Sequence, residues 1–399
     1  MAGARFLQPI QLPPIAHEPG AIEWLLPWVE ELVAAPGTAV LVTGRSTWAQ
    51  LPVVGQAVEA LRSRGWGVTT VVVSGEPSAE WVDEQRHQLP GSDAAVVVAI
   101  GGGSVLDAGK ALAAMACEPG PTRAYLEGVG DRSPSGQRLP WVAVPTTLGT
   151  GSEVTHNAVL GQPGLEDGYK RSLRHPRYAA DRVILDAQLS APVPRTVVAS
   201  AGLDAFSQLL ESYLAPTTSP LLDAWLIHAL EGAGAALPEL IQRHGDVDLQ
   251  AQRHDMALAA TVSGVALTYT GLGVVHGLIG PLGGVAAIPH GVACANVLPP
   301  AMRHTLSEAR TLGGETQGWV EQRMATVSVL LGGEPRADAL IETLEEWRRQ
   351  ARVHAGLPGV ADYGIDARHL EAALARGSNR RNPVALSQAQ WRTILDEGL

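Results

Sequence analysis

Apolar positions in the first half of the chain follow two alternating patterns. Short runs at 39–43, 68–73, 94–100, 141–144 and 182–185 are rich in Val, Ile and Ala and have the length of buried strands. Between them, Val53–Arg64 and Ser78–Gln88 repeat their apolar residues at helical spacing. Strands alternating with helices in this way predict a parallel sheet covered on both faces, a Rossmann-like doubly wound domain. After about Asp186 the strand signals stop, and Ala, Leu and Glu punctuated by Gly and Pro predict helices, most clearly Ser219–Leu237 and Ala337–Ala355. The change falls at Ala191-Pro192-Val193-Pro194, so the fold is predicted to be α/β plus all-α, with an α/β domain at 1–190 and a helical domain at 191–399.

A length of 399 residues agrees with two cores rather than one. The formal net charge of -11, with arginines scattered rather than massed, argues against nucleic acid or an anionic membrane as partner. Cys117 and Cys294 are too few for a disulfide framework or a thiolate zinc cage, and they fit a reducing, cytoplasmic setting. The first residues lack the apolar run of a signal peptide. Met256 to Met302 contains no Asp, Glu, Lys or Arg, yet Gly, Pro, Ser, Thr and two histidines interrupt every window of about 20 residues that a spanning helix needs. Buried core helices are the expectation there.

Three constellations carry chemistry. The strand ending at Ile100 runs into Gly101-Gly102-Gly103-Ser104 and then a helix over Val105–Met115. Glycines let the backbone approach a ligand closely, and the N–H groups and dipole of a helix start favour an anion such as a pyrophosphate. A second apolar strand leads into Pro145-Thr146-Thr147-Leu148-Gly149-Thr150-Gly151-Ser152-Glu153-Val154-Thr155, a hydroxyl-rich loop placed where parallel sheets bind ligands. Farther on, Asp204, Gln208 and Glu211 share one helix face, a pattern common on solvated helices. His276 and His290 lie in the uncharged stretch with Gly283-Gly284 between them. Together with a carboxylate and an amide oxygen, the two imidazoles have the chemistry to ligate a divalent metal.

In this order the segments resemble the iron-containing (group III) alcohol dehydrogenases. Gly101 to Lys110 is similar to that family's GGGSxxDxAK segment, Pro145 to Thr155 to its PTTxGTGSEVT loop, and Ala201-Gly202-Leu203-Asp204-Ala205 to its metal helix. Gly271 to His290 resembles GLGxxHxxxHPLGGxxxxPH, and Arg381-Asn382-Pro383 resembles the C-terminal RNP turn. The resemblance implies that Gly101, Gly102, Gly103 and Ser104 hold the cofactor pyrophosphate, with Asp107 in the same motif. It also implies that Thr146, Thr147 and Thr150 line the nicotinamide side and that Lys170 touches the cofactor. Asp204, His276 and His290 match three of four metal ligands, and the histidine spacing (290 minus 276, 14) agrees.

Two departures stand out. The fourth ligand, a histidine in the family, is Gln208 here, and the second histidine of HxxxHP, a proton-relay candidate, is Gly280. The proton then needs another route, through water or the ribose hydroxyls, and His156 is a candidate substitute. Thr43-Gly44-Arg45-Ser46 stands where NAD-selective members place an aspartate, so Gly44, the Arg45 cation and the Ser46 hydroxyl point to NADP, with NAD as the alternative. The implied activity is reversible hydride transfer between NAD(P)(H) and a small alcohol or aldehyde. It would be assisted by a divalent metal, Fe or Zn, in a homo-oligomer, as a dimer. A basic cluster of Lys170, Arg171, Arg174 and Arg177 points to an anionic substrate. Alternatives are a metal-independent reductase resembling maleylacetate reductase, a dehydroquinate-synthase-like lyase or cyclase, and a silent binding protein.

Overall fold

In the computed structural model, which describes residues 10–45, 50–89 and 94–399, the first half is one six-stranded sheet whose recorded pairings are all parallel. Its strands are β1 (Ile15–Ala16), β2 (Thr38–Gly44), β3 (Gly67–Val73), β4 (Ala94–Gly101), β5 (Trp141–Pro145) and β8 (Arg182–Ile184), in the order β1-β8-β5-β4-β2-β3. The helices among them are α1 (Leu25–Leu32), α2 (Pro52–Ser63), α3 (Ala79–Gln88) and α4 (Gly103–Met115). The five strands expected from sequence are present to within one residue at each end.

Both faces of this sheet are buried, which explains why its strands read as continuous apolar runs. Val40, Val42, Val97 and Ala99 join a core with α4, whereas Ala39, Leu41, Val96, Val98 and Ile100 join one with α1 and α2. Gly109 brings α4 close to the sheet, since a Cβ there would stand 2.6 Å from that of Ala99.

Three strands were not foreseen. β1 is two residues long and has too little pattern to detect. β6 (Asn157–Gln162) and β7 (Tyr169–Arg174) form a separate antiparallel hairpin, and β7 reads Tyr-Lys-Arg-Ser-Leu-Arg, too polar for a buried-strand signal. Lys170 is therefore a strand residue rather than part of a loop.

The second half is helical: α5 (Arg195–Leu214), α6 (Pro220–Arg243), α7 (Gln250–Thr270), α8 (Val274–Val285), α9 (His290–Leu312), α10 (Gly314–Leu330), α11 (Ala337–Ala355), α12 (Ala367–Leu374) and α13 (Gln388–Gly398). α5 is central, packed by α6, α7, α9 and α11, and nearly all of its residues from Val198 onward are buried. The Asp204, Gln208 and Glu211 face is thus no solvated surface: the three residues are 2%, 4% and 2% exposed. The uncharged stretch forms α7, α8 and the start of α9, largely inside the core. No single helix among the described residues is long and apolar enough to cross a membrane; α7 and α8 together meet that test only as a pair bent by 96°.

Candidate active site

The strand order reverses between β2 and β4. The chain runs from β2 outward to β3 and then returns to the other side of β2, so the carboxyl ends of β2 and β4 flank the crevice in which such sheets bind ligands. Thr43 pairs with Ile100, which sets Gly44 and the exposed Arg45 beside Gly101. Ser46 lies outside the described residues.

The glycines after β4 are required by neighbouring side chains. A Cβ on Gly102 would stand 3.0 Å from Thr147 Cγ2, and one on Gly103 would stand 2.5 Å from Thr150 Cγ2. Gly101 is closed off by Val105 at 2.6 Å, and its carbonyl accepts from the Thr146 N–H at 2.9 Å. The two expected cofactor loops are therefore one surface, with Thr146, Thr147 and Thr150 seated over the glycine turn. Among the described residues no side chain caps the start of α4.

Beneath this surface lies a fully buried lysine that has no role in the reading of the sequence. Lys110 Nζ donates to the Ser152 and Asn157 carbonyls at 2.7 and 2.6 Å and to the Thr155 hydroxyl at 2.7 Å, fastening α4 to the threonine loop. Burial pulls its pKa down to about 8, against the pull of Asp107 and Glu153. Asp107, grouped with the cofactor residues, accepts instead from Ser152 Oγ at 2.5 Å. Burial raises its pKa.

The threonine loop also reaches the helical half. Cβ atoms on Gly149 and Gly151 would clash with Ala201 of α5 at 2.7 Å and with the Ala260 carbonyl of α7 at 2.4 Å. Gly151 has φ +61° as well, a conformation that only glycine adopts at no cost. Ala201 precedes Asp204 by three residues, less than one helical turn.

Four donor side chains converge there: Asp204 of α5, His276 of α8, and His290 and Cys294 of α9, whose ligand atoms all lie within 4.8 Å of one another. His276 Nε2 is 3.2 Å from Asp204 Oδ1, and His290 Nε2 is 3.9 Å from it. Cys294 Sγ donates to the same oxygen at 3.0 Å and lies 3.6 Å from His276 Nε2. Glu211 holds the opposite side of His276, 2.7 Å from Nδ1, and accepts from the Val275 N–H at 2.6 Å. The Asn382 amide oxygen takes the Val274 N–H. Asn382 and Glu211 thus occupy free N–H groups of the α8 start, and Glu211 also fixes the ring of His276.

The electrostatics follow from this convergence. Burial opposes the charge on Asp204, yet His290, His276 and the Cys294 thiol hold its pKa at about 2. Burial also works against His276, but Cys294, Asp204 and Glu211 raise it well above the usual imidazole value. His290 is lowered to about 3 by burial, despite Asp204, with Lys170 and His276 adding to the effect. Burial, and then Asp204, push the Cys294 thiol up to about 12.

The remaining expected residues are placed as follows. Gln208 turns its amide nitrogen to Asp204 Oδ1 at 3.1 Å, while its oxygen accepts from Ser263 Oγ at 2.8 Å, so the oxygen meant for a metal is already engaged. His156 sits at the foot of the hairpin, edge-on to Tyr269, and its pKa is lowered by burial and by the nearby Lys110, Arg174 and His175. None of these neighbours is one of the four donors. The basic cluster does not converge either: Lys170 pairs with Glu76, and Arg174 pairs with Glu127 at 2.8 Å. Lys170 nevertheless lies against Gly283, its Nζ 3.3 Å from where a Cβ would stand. A Cβ on Gly280 would meet nothing within 4 Å among the described residues. Cys294 and the positioning role of Glu211 were both missed. Glu211 was visible at i+7 from Asp204, whereas Cys294 could have been found only by its i+4 spacing from His290.

The model of the iron-containing alcohol dehydrogenases matches residues 13–187, and that of the family's C-terminal part matches 198–398. The chain belongs to the iron-containing alcohol dehydrogenase family. It is similar to long-chain-alcohol dehydrogenase 1 of Geobacillus thermodenitrificans, with 29% identity over 97% of this chain and 95% of that one. It is also similar to lactaldehyde reductase of Escherichia coli, with 34% identity over 67% and 68% of the two chains. Among solved structures, a 1,3-propanediol oxidoreductase superposes with a TM-score of 0.81 at 25% identity, over 99% of this chain and 100% of that one. This iron-containing alcohol dehydrogenase family member is an NAD(P)-dependent oxidoreductase, an alcohol dehydrogenase or aldehyde reductase acting on a small molecule. The maleylacetate-reductase-like, lyase and silent-protein alternatives are not favoured. The family uses NAD(P) and a metal, typically iron.

Proposed function

We propose that the crevice at the β2/β4 reversal holds NADP in preference to NAD, and that the donor cluster holds a divalent cation, Fe or Zn, for reversible hydride exchange with a small alcohol or aldehyde. The observation that carries this reading is the contact of the threonine loop with α5: Gly149 packs on Ala201, three residues before Asp204, so the loop that borders the glycine turn abuts the helix that carries a donor. The donors fit a cation, because a buried carboxylate and two imidazoles face one another and a further carboxylate, Glu211, backs one imidazole. When bound, the cation supplies Lewis acidity and the nucleotide supplies or accepts the hydride.

The chain's own groups do the rest. Gly101 to Ser104 and the uncapped start of α4 receive the pyrophosphate, while Thr146, Thr147 and Thr150 border it. Arg45, exposed beside Gly44, meets the ribose phosphate that distinguishes NADP. Lys170, lying along Gly283, faces the cofactor side of α8. Glu211 keeps the proton on His276 Nδ1, leaving the lone pair of Nε2, beside Asp204, to face a cation. Gly280, with open space in front of it, leaves proton exchange to water. The division of labour falls at residues 190 and 191. A homodimer and a cytoplasmic location complete the reading, the latter in keeping with two free cysteines.

The test is elemental analysis of protein purified without chelator, paired with aldehyde-dependent oxidation of NADPH and NADH before and after chelation. Stoichiometric Fe or Zn, loss of turnover on stripping and recovery on adding metal are the expected outcomes. Undiminished turnover without metal would overturn the metal part of the reading.

A further inference from the structure

The fourth position of the donor set is the unusual feature of this chain. We infer that Cys294 supplies the fourth ligand as a thiolate in place of Gln208, giving an Asp-His-His-Cys centre that favours zinc over iron. The inference rests on the metal reading above and adds to it the ligand and the metal class.

Geometry comes first. Bonds of about 2.0–2.3 Å at tetrahedral angles set donor atoms roughly 3.3–3.6 Å apart. His276 Nε2 to Asp204 Oδ1 is 3.2 Å, and His276 Nε2 to Cys294 Sγ is 3.6 Å. Cys294 to Asp204, at 3.0 Å, is shorter by the pull of the thiol's hydrogen bond, and His290 to Asp204, at 3.9 Å, is longer by a few tenths of an ångström. Four of the six separations thus lie within a few tenths of an ångström of a tetrahedral set, and the remaining two, from His290 to His276 and to Cys294, are within 4.8 Å. Cys294 follows His290 by one helical turn, so α9 presents both from one face.

The competing residue is occupied. Gln208 spends its oxygen on Ser263 and its N–H on Asp204, which makes it a support for the carboxylate rather than a donor to a cation. Among the described residues His290 Nδ1 is buried without a hydrogen-bond partner, and Nε2 stands 3.9 Å from Asp204 Oδ1, too far for a hydrogen bond between them.

The chemistry then selects the metal. A thiolate is a soft ligand, and a tetrahedral site mixing sulfur and imidazole suits zinc, whereas an all-nitrogen-and-oxygen set suits iron equally well. Ligation is a simple exchange: a metal–sulfur bond forms and the thiol proton leaves to solvent. No oxidant or reductant is involved.

The test is titration of chelator-stripped full-length protein with cobalt(II), followed by displacement with zinc. A thiolate-to-cobalt charge-transfer band in the near ultraviolet, together with the intense visible bands of a tetrahedral ion, is the expected result. In Cys294→Ser the charge-transfer band disappears and zinc affinity falls by at least about a hundredfold, the upper end of what losing a supporting partner costs. In Gln208→Ala the band remains. Visible bands without charge transfer in the wild-type protein would overturn the cysteine ligand while leaving the metal site standing. A band that survives in Cys294→Ser, or vanishes in Gln208→Ala, overturns it as well. If no cobalt binds, the metal reading fails first. The wild-type spectrum decides the main question even if a variant folds poorly.

Discussion

The two halves of the proposed site are built by opposite means. The cofactor side is made from backbone: a glycine turn over which Thr147 and Thr150 lie, in segments contiguous along the chain. The cation side is made from side chains delivered by α5, α8 and α9, 72 residues apart between Asp204 and His276 alone. A backbone site tolerates changes of side chain but no added Cβ, whereas a side-chain site tolerates Cβ atoms but depends on each donor and on the groups that hold it. Gly151 and Glu211 are the residues through which each half is held in place.

The largest effect that would separate the two is Gly151→Ala. The new methyl meets the Ala260 carbonyl at 2.4 Å with φ at +61°, and neither backbone can yield. A loss of about 3 kcal/mol or more is expected, read by urea unfolding, from overpacking and a disfavoured backbone together. A loss under about 1 kcal/mol would show that the threonine loop is free to shift and that the halves are less rigidly joined.

Glu211→Gln acts on the other half. The amide still accepts from Val275 N–H, but the charge behind His276 Nδ1 is gone. Metal affinity is expected to fall by about 10–100-fold with little change in nucleotide affinity. Equal losses in both would break the distinction between a backbone site and a side-chain site.

The smallest expected effect is that of Arg45→Ala. The side chain is exposed, so solvent screens its attraction for a phosphate. NADPH preference over NADH should drop by up to about tenfold, the equivalent of roughly 1.4 kcal/mol, measured as the ratio of kcat/KM values. An unchanged ratio would move nucleotide selection elsewhere on the crevice.

The chain determined by itself what depends on neighbours in sequence. The five main strands, the glycine turn and the threonine loop were legible because a buried strand shows its apolar run and a strand–turn–helix unit is complete within a few residues. Asp204, His276 and His290 were legible only through resemblance, since spacing alone does not tell a ligand from a core histidine. Tertiary structure alone decided the rest. It buried the Gln208 and Glu211 face that would pass for a solvated surface, because α5 is enclosed by other helices. It turned the Gln208 oxygen to Ser263 and sent His156 to Tyr269. It also brought Cys294 onto the Asp204 carboxylate, 90 residues away in sequence. Local pattern fixes which face of an element is apolar; which polar atoms meet inside is fixed by how the helices pack, and no single segment encodes that.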